Sequence, residues 1–460
     1  MRIDMTHPVS PLSRRRFLFV STSAAILSAC ATQPAAGPGP VAGTIPTMES
    51  LLAAQAVPIR KLTAEDAGVM ALASRLATSR IAGLGEATHG SHEDALLKSV
   101  LIQAMVEHHD LRVVLIEANR TGTAQLDAYA SGGPTGLLAA EAVKQAPVFR
   151  ILKTEVIADL LTWLRGWNAV NPDRKVRVLG VDCQASSQDA GDALAALAAV
   201  DSGAADALGP ALAPILIAEV KGLRHDLMLK QLTSAQRDEA ESACRMLEAE
   251  LERAGLTNAA FTARRAWQGL SAFEFETSDG DMSLATADYW SRRDVFMAEN
   301  ALALAAGQRA VFWGHNLHVL GGRLSGDGEG YVPSGAILRE KLGRDYAALI
   351  QDFAAATFLA IPNTEGVAAP PDAAQSEIVR VTRPGTLNAL LAKASPATAW
   401  FDLSRLPDNA LVSTWRETPI GLDWYGADAS LEPGDIAQIP PQDVFDFMVI
   451  HQKLTPSRML

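Results

Sequence analysis

The feature that most constrains this fold is a repeated local pattern: a short apolar run that ends in a polar cluster and is followed by a helical stretch. Ile81 to Leu84 ends in Gly85-Glu86, and Arg112 to Ile116 ends in Glu117-Ala118-Asn119-Arg120. Lys175 to Val181 delivers Asp182-Cys183-Gln184, and Ala310 to Trp313 leads into Gly314-His315-Asn316-Leu317-His318. Short runs of this kind suit strands buried on both faces, and a parallel neighbour is reached only through a crossover, usually a helix. The expected fold is therefore α/β, a mostly parallel sheet with crossover helices. In open α/β sheets ligands bind outside the carboxyl ends of the strands. Those ends are where this chain collects its carboxylates and imidazoles.

The connecting stretches fit this reading. Asp94 to Met105 is expected as a helix, and Phe149 to Val170 places Leu152, Val156, Leu160, Leu161 and Leu164 on one helical face. Ser186 to Asn258 has no strand-like segment, and its Ala-rich and Leu-rich runs, continued by Phe261 to Phe275, predict a helical insertion over 186–276 that covers the active-site cleft. Ala285 to Ala306 and Ser334 to Leu342 are further helices, and Asp345 to Phe353 a strand. Thr398 to Leu403 and Val444 to Ile450 are expected as edge strands. Gly321 to Gly330 lacks the Gly-Lys-Ser/Thr ending of a phosphate-cradling loop and reads as a mobile rim.

Residues 1–30 stand apart from the fold. Ser13-Arg14-Arg15-Arg16-Phe17-Leu18 followed by the apolar Phe17 to Leu27 and by Leu27-Ser28-Ala29-Cys30 resembles a twin-arginine export signal that ends in a lipobox. Export by that route, with Cys30 lipidated and anchoring the chain to a bacterial membrane, is the expected localisation. Residues 31–46, rich in Ala, Pro and Gly, read as a tether, which leaves 47–460 as the catalytic domain. Cys183 and Cys244 show no metal-site spacing and are expected as buried thiols. A formal charge of −12 repels a phosphate backbone, so nucleic acid is not an expected partner.

Glu86, His89, Glu117, Asp182, His315 and His318 are expected to border one cleft, with Lys98, Arg120 and Arg293 as nearby cations. No G-x-S-x-G elbow and no H-E-x-x-H pair is present, and Glu86 opposes a pyrophosphate where a dinucleotide fingerprint would begin. With no serine or cysteine placed as nucleophile, the set favours an activated water: an imidazole takes its proton and a carboxylate on the far ring nitrogen fixes the tautomer. That chemistry is a hydrolase of an ester or amide. Two alternatives remain: the same donors could hold a divalent metal that activates the water, or His89 and His315 could bind a haem-like apolar ligand without catalysis.

The motifs taken together resemble a known family. G-L-G-E-A-T-H-G-S-H-E at Gly83 to Glu93, I-E-A-N at Ile116 to Asn119, L-G-V-D-C-Q at Leu179 to Gln184, R-D-x-x-M-A-E-N at Arg293 to Asn300 and W-G-H-N-L-H-V at Trp313 to Val319 look like the erythromycin esterase family. F-D-L at Phe401 to Leu403 and D-V-F-D-F at Asp443 to Phe447 fit its closing strands. The resemblance implies hydrolysis of the lactone ester of a macrolide, without a cofactor, on an α/β core with a helical part over the cleft. Such an activity would inactivate the antibiotic. By motif, His89 resembles the general base, Glu86 and Glu117 the carboxylates that orient it, and His315 the histidine of the opposite wall. The residues expected to hold substrate are His318, Lys98, Asp182, Asn119, Arg120 and Arg293. Lys98 stands where some macrolide-active members carry an arginine, and Gly314 where an alanine is usual.

Overall fold

Alternation of side chains along the central strands sorts them into two apolar layers. Ala82, Leu84, Val114, Ile116, Val311 and Trp313 share one core, whereas Ile81, Val113, Leu115, Ala310 and Phe312 share another. Neighbours in sequence point to opposite faces of a strand, so the sheet is covered on both sides. Helices Ala67–Leu76, His92–His108 and Glu155–Val170 cover the first face, and Ala287–Ala305, Ser334–Leu342 and Leu387–Ala394 the second.

The computed structural model describes residues 46–133, 136–220, 225–272, 287–324, 330–363, 374–430, 437–441 and 444–460. The expected export signal, the tether up to residue 45, the end of the insertion at 273–276 and residues 325–329 of the glycine-rich rim lie outside the described residues. Among the described residues the strands are β1 (Val57–Pro58), β2 (Ile81–Leu84), β3 (Val113–Asn119), β4 (Arg177–Asp182), β5 (Ala310–Trp313), β6 (Tyr346–Phe353), β7 (Ala355–Asn363), β8 (Ser376–Val381), β9 (Ala399–Asp402), β10 (Ile420–Leu422), β11 (Asp428–Ser430), β12 (Ala437–Ile439) and β13 (Phe447–His451). Eight of them build one sheet in the order β1-β9-β13-β6-β2-β5-β3-β4. From β13 to β4 every pairing is parallel, and β9 runs antiparallel to both β13 and β1. The mostly parallel α/β sheet is thus as expected.

Three expectations about individual elements change. The strands around Ala399 and Phe447 are interior: β13 lies between β9 and β6, and the two-residue β1 takes the outer position beside β9. Phe149 does not begin a helix: Thr154 accepts from the Ile157 N–H and caps Glu155–Val170, leaving Arg150–Leu152 as a separate single turn. Strand β3 runs on through Glu117, with an irregularity against β4 between Ile116 and Asn119. Such irregularities re-aim side chains beside active sites, and here they fall at Glu117.

Residues 186–272 are helical where described, with helices Ser186–Ala198, Ser202–Val220, His225–Gln231, Ser234–Arg253 and Thr257–Ala272 around their own apolar core. Cys183 and Cys244 are buried free thiols. Strands β11, β7 and β8 form a side sheet, and β10 pairs with β12. No described helix is long and apolar enough to cross a membrane.

Close approach explains Gly83 in β2. A Cβ there would lie 2.4 Å from Tyr346 Oη and 2.8 Å from Val319 Cβ, and that hydroxyl donates to Val319 O at 2.6 Å. Gly83→Ala should therefore cost about 1–3 kcal/mol by overpacking. Gly166, inside Glu155–Val170 with open space at its Cβ, should instead stabilise on change to Ala by up to ~1 kcal/mol. Urea unfolding of the two variants reads both signs in one experiment.

Candidate active site

Strand β2 ends at Leu84, and Gly85 and Glu86 begin the loop that carries the first half of the site. Glu86 is buried and its carboxylate is shared: Oε2 accepts from Lys98 Nζ at 2.5 Å, and Oε1 accepts from His89 Nδ1 at 2.5 Å. Lys98 is fully buried on His92–His108, donates also to Gly314 O at 3.0 Å and lies 4.8 Å from the centre of the Trp313 ring. Burial works to raise the Glu86 pKa, but Lys98 and His89 outweigh it and bring it down to about 2. Asp94, in the first turn of the same helix, braces the loop by accepting from Ala87 N–H at 3.1 Å and Ser91 Oγ at 2.7 Å.

The second half of the site is a larger charge cluster at the ends of β3, β4 and β5. Arg293 donates to Asp182 at 2.8 and 3.1 Å and to Glu117 at 3.2 Å. His318 places Nε2 3.0 Å from Glu117 and Nδ1 2.9 Å from Asp294, whose other oxygen accepts from Tyr331 Oη at 2.7 Å. Burial alone would lower the His318 pKa; Asp294 and Glu117 override it and lift it to about 10. His318 is therefore an imidazolium at neutral pH, both N–H groups donating to carboxylates. Against its burial, His318 and Arg293 hold Glu117 well below the usual carboxylate range.

His315 differs from both other histidines. It caps the short helix Asn316–Val319, where Nδ1 accepts from Leu317 N–H at 3.2 Å, and Nε2 donates to Tyr425 O at 3.1 Å. These partners assign the tautomer. Burial, with His89 and His318 nearby, pushes its pKa down to about 3, so the ring stays neutral. Its centroid is 5.0 Å from that of His89. Of the six ring nitrogens in these three histidines, five are engaged. His89 Nε2 is the one without a partner among the described residues.

His89, His315, His318, Glu117 and Arg293 line a cavity of about 1000 Å³, the upper end of the range for small-molecule sites. Phe149 and Ile151 form one wall, Ser187, His225 and Met228 of the insertion another, and Trp424 and Ile361 a third. The insertion thus borders the cleft.

The residues singled out in the sequence divide into two groups. Glu86, His89, Glu117, His315, His318 and Arg293 come together. Asn119 also reaches the cavity, where its Oδ1 has no partner among the described residues. Lys98 lies behind Glu86 and does not line the cavity. Asp182 is spent on Arg293 and on Cys183 N–H, and Arg120 turns away to Asp189 and Asp192 on the first helix of the insertion. For these three the structure shows supporting contacts in place of a cavity face. Asp294, Tyr331 and Trp424 belong to the site without having been expected there. Asp294 stands beside Arg293 in a recognised motif; Tyr331 and Trp424 sit in loops with no signal.

The fold is an α/β sheet with a small-molecule cavity at the carboxyl ends of its strands, and the family that the chain matches makes it a hydrolase. The chain belongs to the erythromycin esterase family, whose sequence model matches residues 106–454. That span contains Glu117, Arg293, His315 and His318, while Glu86 and His89 precede it. Solved structures share the fold: a Bacillus cereus protein at 21% identity and TM-score 0.70, and a succinoglycan biosynthesis protein at 16% and 0.73, each similarity covering 90% of this chain and 98% of the other. A mutant of the erythromycin esterase EreC in its open conformation is similar at 17% identity and TM-score 0.58, over 84% of this chain and 93% of the other. No curated protein matches the sequence.

Two linkage consequences follow from the charges. The Glu86 pKa is depressed from 4.5, so its contribution to stability is complete above that pH and lost as pH falls toward 2. His318 is raised from 6.5, so its contribution is complete below 6.5 and lost as pH rises through about 10. Thermal denaturation across pH should show a smaller alkaline decline in His318→Gln than in the parent. Lys98→Met, which leaves a buried carboxylate without its cation, should cost about 3–5 kcal/mol near neutrality.

Proposed function

We propose that this protein is a carboxylic ester hydrolase that opens the lactone of a macrocyclic ester, with His89 as general base on water. The observation that carries the reading is the single unengaged imidazole nitrogen, His89 Nε2, on a ring that faces the cavity and is fixed from behind by Glu86. Glu86 holds the proton on Nδ1, so Nε2 carries the lone pair. A water held there loses a proton to Nε2 as its oxygen attacks the ester carbonyl carbon, and Glu86 stabilises the imidazolium that forms. The developing oxyanion meets His318 and Arg293 on the cavity wall, each of which must turn an N–H from a carboxylate to reach it. Collapse of the tetrahedral intermediate breaks the carbon–oxygen bond, and the leaving alkoxide takes the proton from His89 Nε2, giving acid and alcohol.

His315 has a separate part in this scheme. A neutral ring with both nitrogens engaged neither competes for the proton nor adds a positive charge beside His89 as it becomes cationic. Macrolactones as the substrate class are supported by family membership and by the cavity volume. Direct activation of water, without a divalent metal, is supported by the donor set, in which one ring nitrogen of the three histidines is open. We also propose export through the Arg14-Arg15-Arg16 signal with lipid on Cys30, supported by the resemblance of residues 13–30 to a twin-arginine signal ending in a lipobox.

Mass spectrometry after incubation with erythromycin tests the proposal. The expected result is gain of one water, unaffected by a chelator and lost by ~10²–10⁴-fold in a folded His89→Ala. An intact macrolide beside a cleaved aryl ester would keep the mechanism and remove the substrate class. Undiminished turnover in the mutant would remove the base assignment. Cys30→Ser should move the protein from the membrane to the soluble fraction of an expressing cell.

A further inference from the structure

The hydrolytic reading uses Glu86 and His89 of the β2 loop and leaves the last residue of the same polar run, Glu93, without a part. Glu93 is half-buried at the start of His92–His108, and both its oxygens are taken by one residue far away in sequence. Oε2 accepts from Thr455 N–H at 2.6 Å and Oε1 from Thr455 Oγ1 at 2.7 Å. This contact is the hook of a longer strap. His92 N–H donates to Thr455 O at 2.8 Å, Ser91 pairs with Pro456 as an antiparallel bridge, and Ser457 N–H donates to Gly90 O at 2.8 Å. Residues 455–457 therefore lie along Gly90 to Glu93, the four residues that follow His89.

The loop is held on its other side as well. Leu359 N–H of β7 donates to Gly90 O at 3.0 Å, and a Cβ on Gly90 would fall 1.8 Å from Leu359 O. The strap itself is anchored at both ends. Upstream, Leu454 exchanges hydrogen bonds with Ala355 and Thr357; downstream, Arg458 O accepts from Glu155 N–H at 2.9 Å and Leu460 N–H donates to Lys153 O at 3.0 Å. Those last contacts adjoin the Arg150–Leu152 turn, which lines the cavity.

We propose that Glu93 is a positioning residue: by hooking residues 455–457 onto the β2 loop it fixes His89 against Glu86 and aims Nε2 into the cavity. The proposal rests on His89 being the base. Its leverage comes from geometry, because the 2.5 Å contact between His89 and Glu86 tolerates little displacement, and a reacting group misplaced by about 1 Å can cost ~10²-fold in rate.

The test uses the full chain with an aryl ester as substrate and two readouts. Steady-state kinetics gives kcat and KM separately. Proton magnetic resonance gives the His89 Nδ1–H signal, identified by its absence in His89→Ala. Glu93→Ala is expected to lower kcat by ~10–100-fold with KM changed by less than about twofold, and to move the Nδ1–H signal upfield as the contact with Glu86 lengthens. Glu93→Gln, which keeps an oxygen for Thr455 N–H, is expected to recover most of the loss. Thr455→Val, which removes one of the two hydrogen bonds, provides the milder variant should Glu93→Ala fold poorly. An unmoved signal with parental kcat in folded Glu93→Ala overturns the proposal. So does a loss of kcat that only tracks the folded fraction while the signal stays in place, because that outcome is a structural role alone. If the parent cleaves no ester, the hydrolase reading fails by itself, and the signal still decides whether Glu93 positions His89.

Discussion

One buried carboxylate, Glu86, sets the terms for the rest of the site. Removing a carboxylate from water costs several kcal/mol unless opposite charge and hydrogen bonds replace the hydration. Lys98 supplies the charge and His89 the second hydrogen bond. Because the Lys98 stem rises from His92–His108 to reach Glu86, Gly314 O and the Trp313 ring, the pair also joins the end of β2 to the end of β5. The orientation of His89 is thus inherited from a helix, two strands and an ion pair that the cavity never touches. Lysine suits this place in one respect: a compact ammonium fits between a carboxylate and a carbonyl without the planar fork that arginine would need to accommodate.

The second cluster solves a different problem with the same physics. Asp182, Glu117 and Asp294 come from β4, β3 and the helix Ala287–Ala305, and their charges are answered by Arg293 and the His318 imidazolium. Each cation contacts two carboxylates, so Glu117 is held by both and cannot swing toward substrate. The two clusters leave His89 and His315 between them. His315 spends its nitrogens on backbone groups, which leaves His89 Nε2 as the one ring nitrogen of the three histidines without a partner among the described residues.

What could be read in advance divides along physical lines. The parallel strands were legible because burial on both faces demands continuous apolar runs, and the residues after them were legible because that edge collects polar groups. Ala310–Trp313 and Ser334–Leu342 have the expected bounds. Strands β7 and β8 were not seen: Ala-Ala-Thr-Phe-Leu-Ala-Ile-Pro-Asn carries no clean period, and its pairing depends on partners distant in sequence. Two-residue β1 is too short to signal at all, yet its presence turns β9 from an edge into an interior strand. Lys98, Asp182 and Arg120 were legible as charged groups near the site, but sequence spacing does not tell which side of a carboxylate a cation will approach. The Arg120 side chain goes to Asp189 and Asp192, a choice made by the docking of the insertion.

The legible and illegible parts separate chemistry from selection. Glu86, His89, Glu117, His315 and His318 stand at strand ends and in the segments just beyond them, positioned by the sheet. Phe149, Ile151, Met228, Ile361 and Trp424, which shape the rest of the cavity, come from a single turn, a helical insertion, a side strand and a loop. Loops and insertions can change without disturbing the sheet, so the strand-end residues can persist while the cavity walls are rebuilt. Solved structures at 16–21% identity keep the fold over most of this chain. The sheet and the strand-end residues it positions are thus the part of this chain carried by the shared fold, whereas the cavity walls come from segments that strand patterning does not reach.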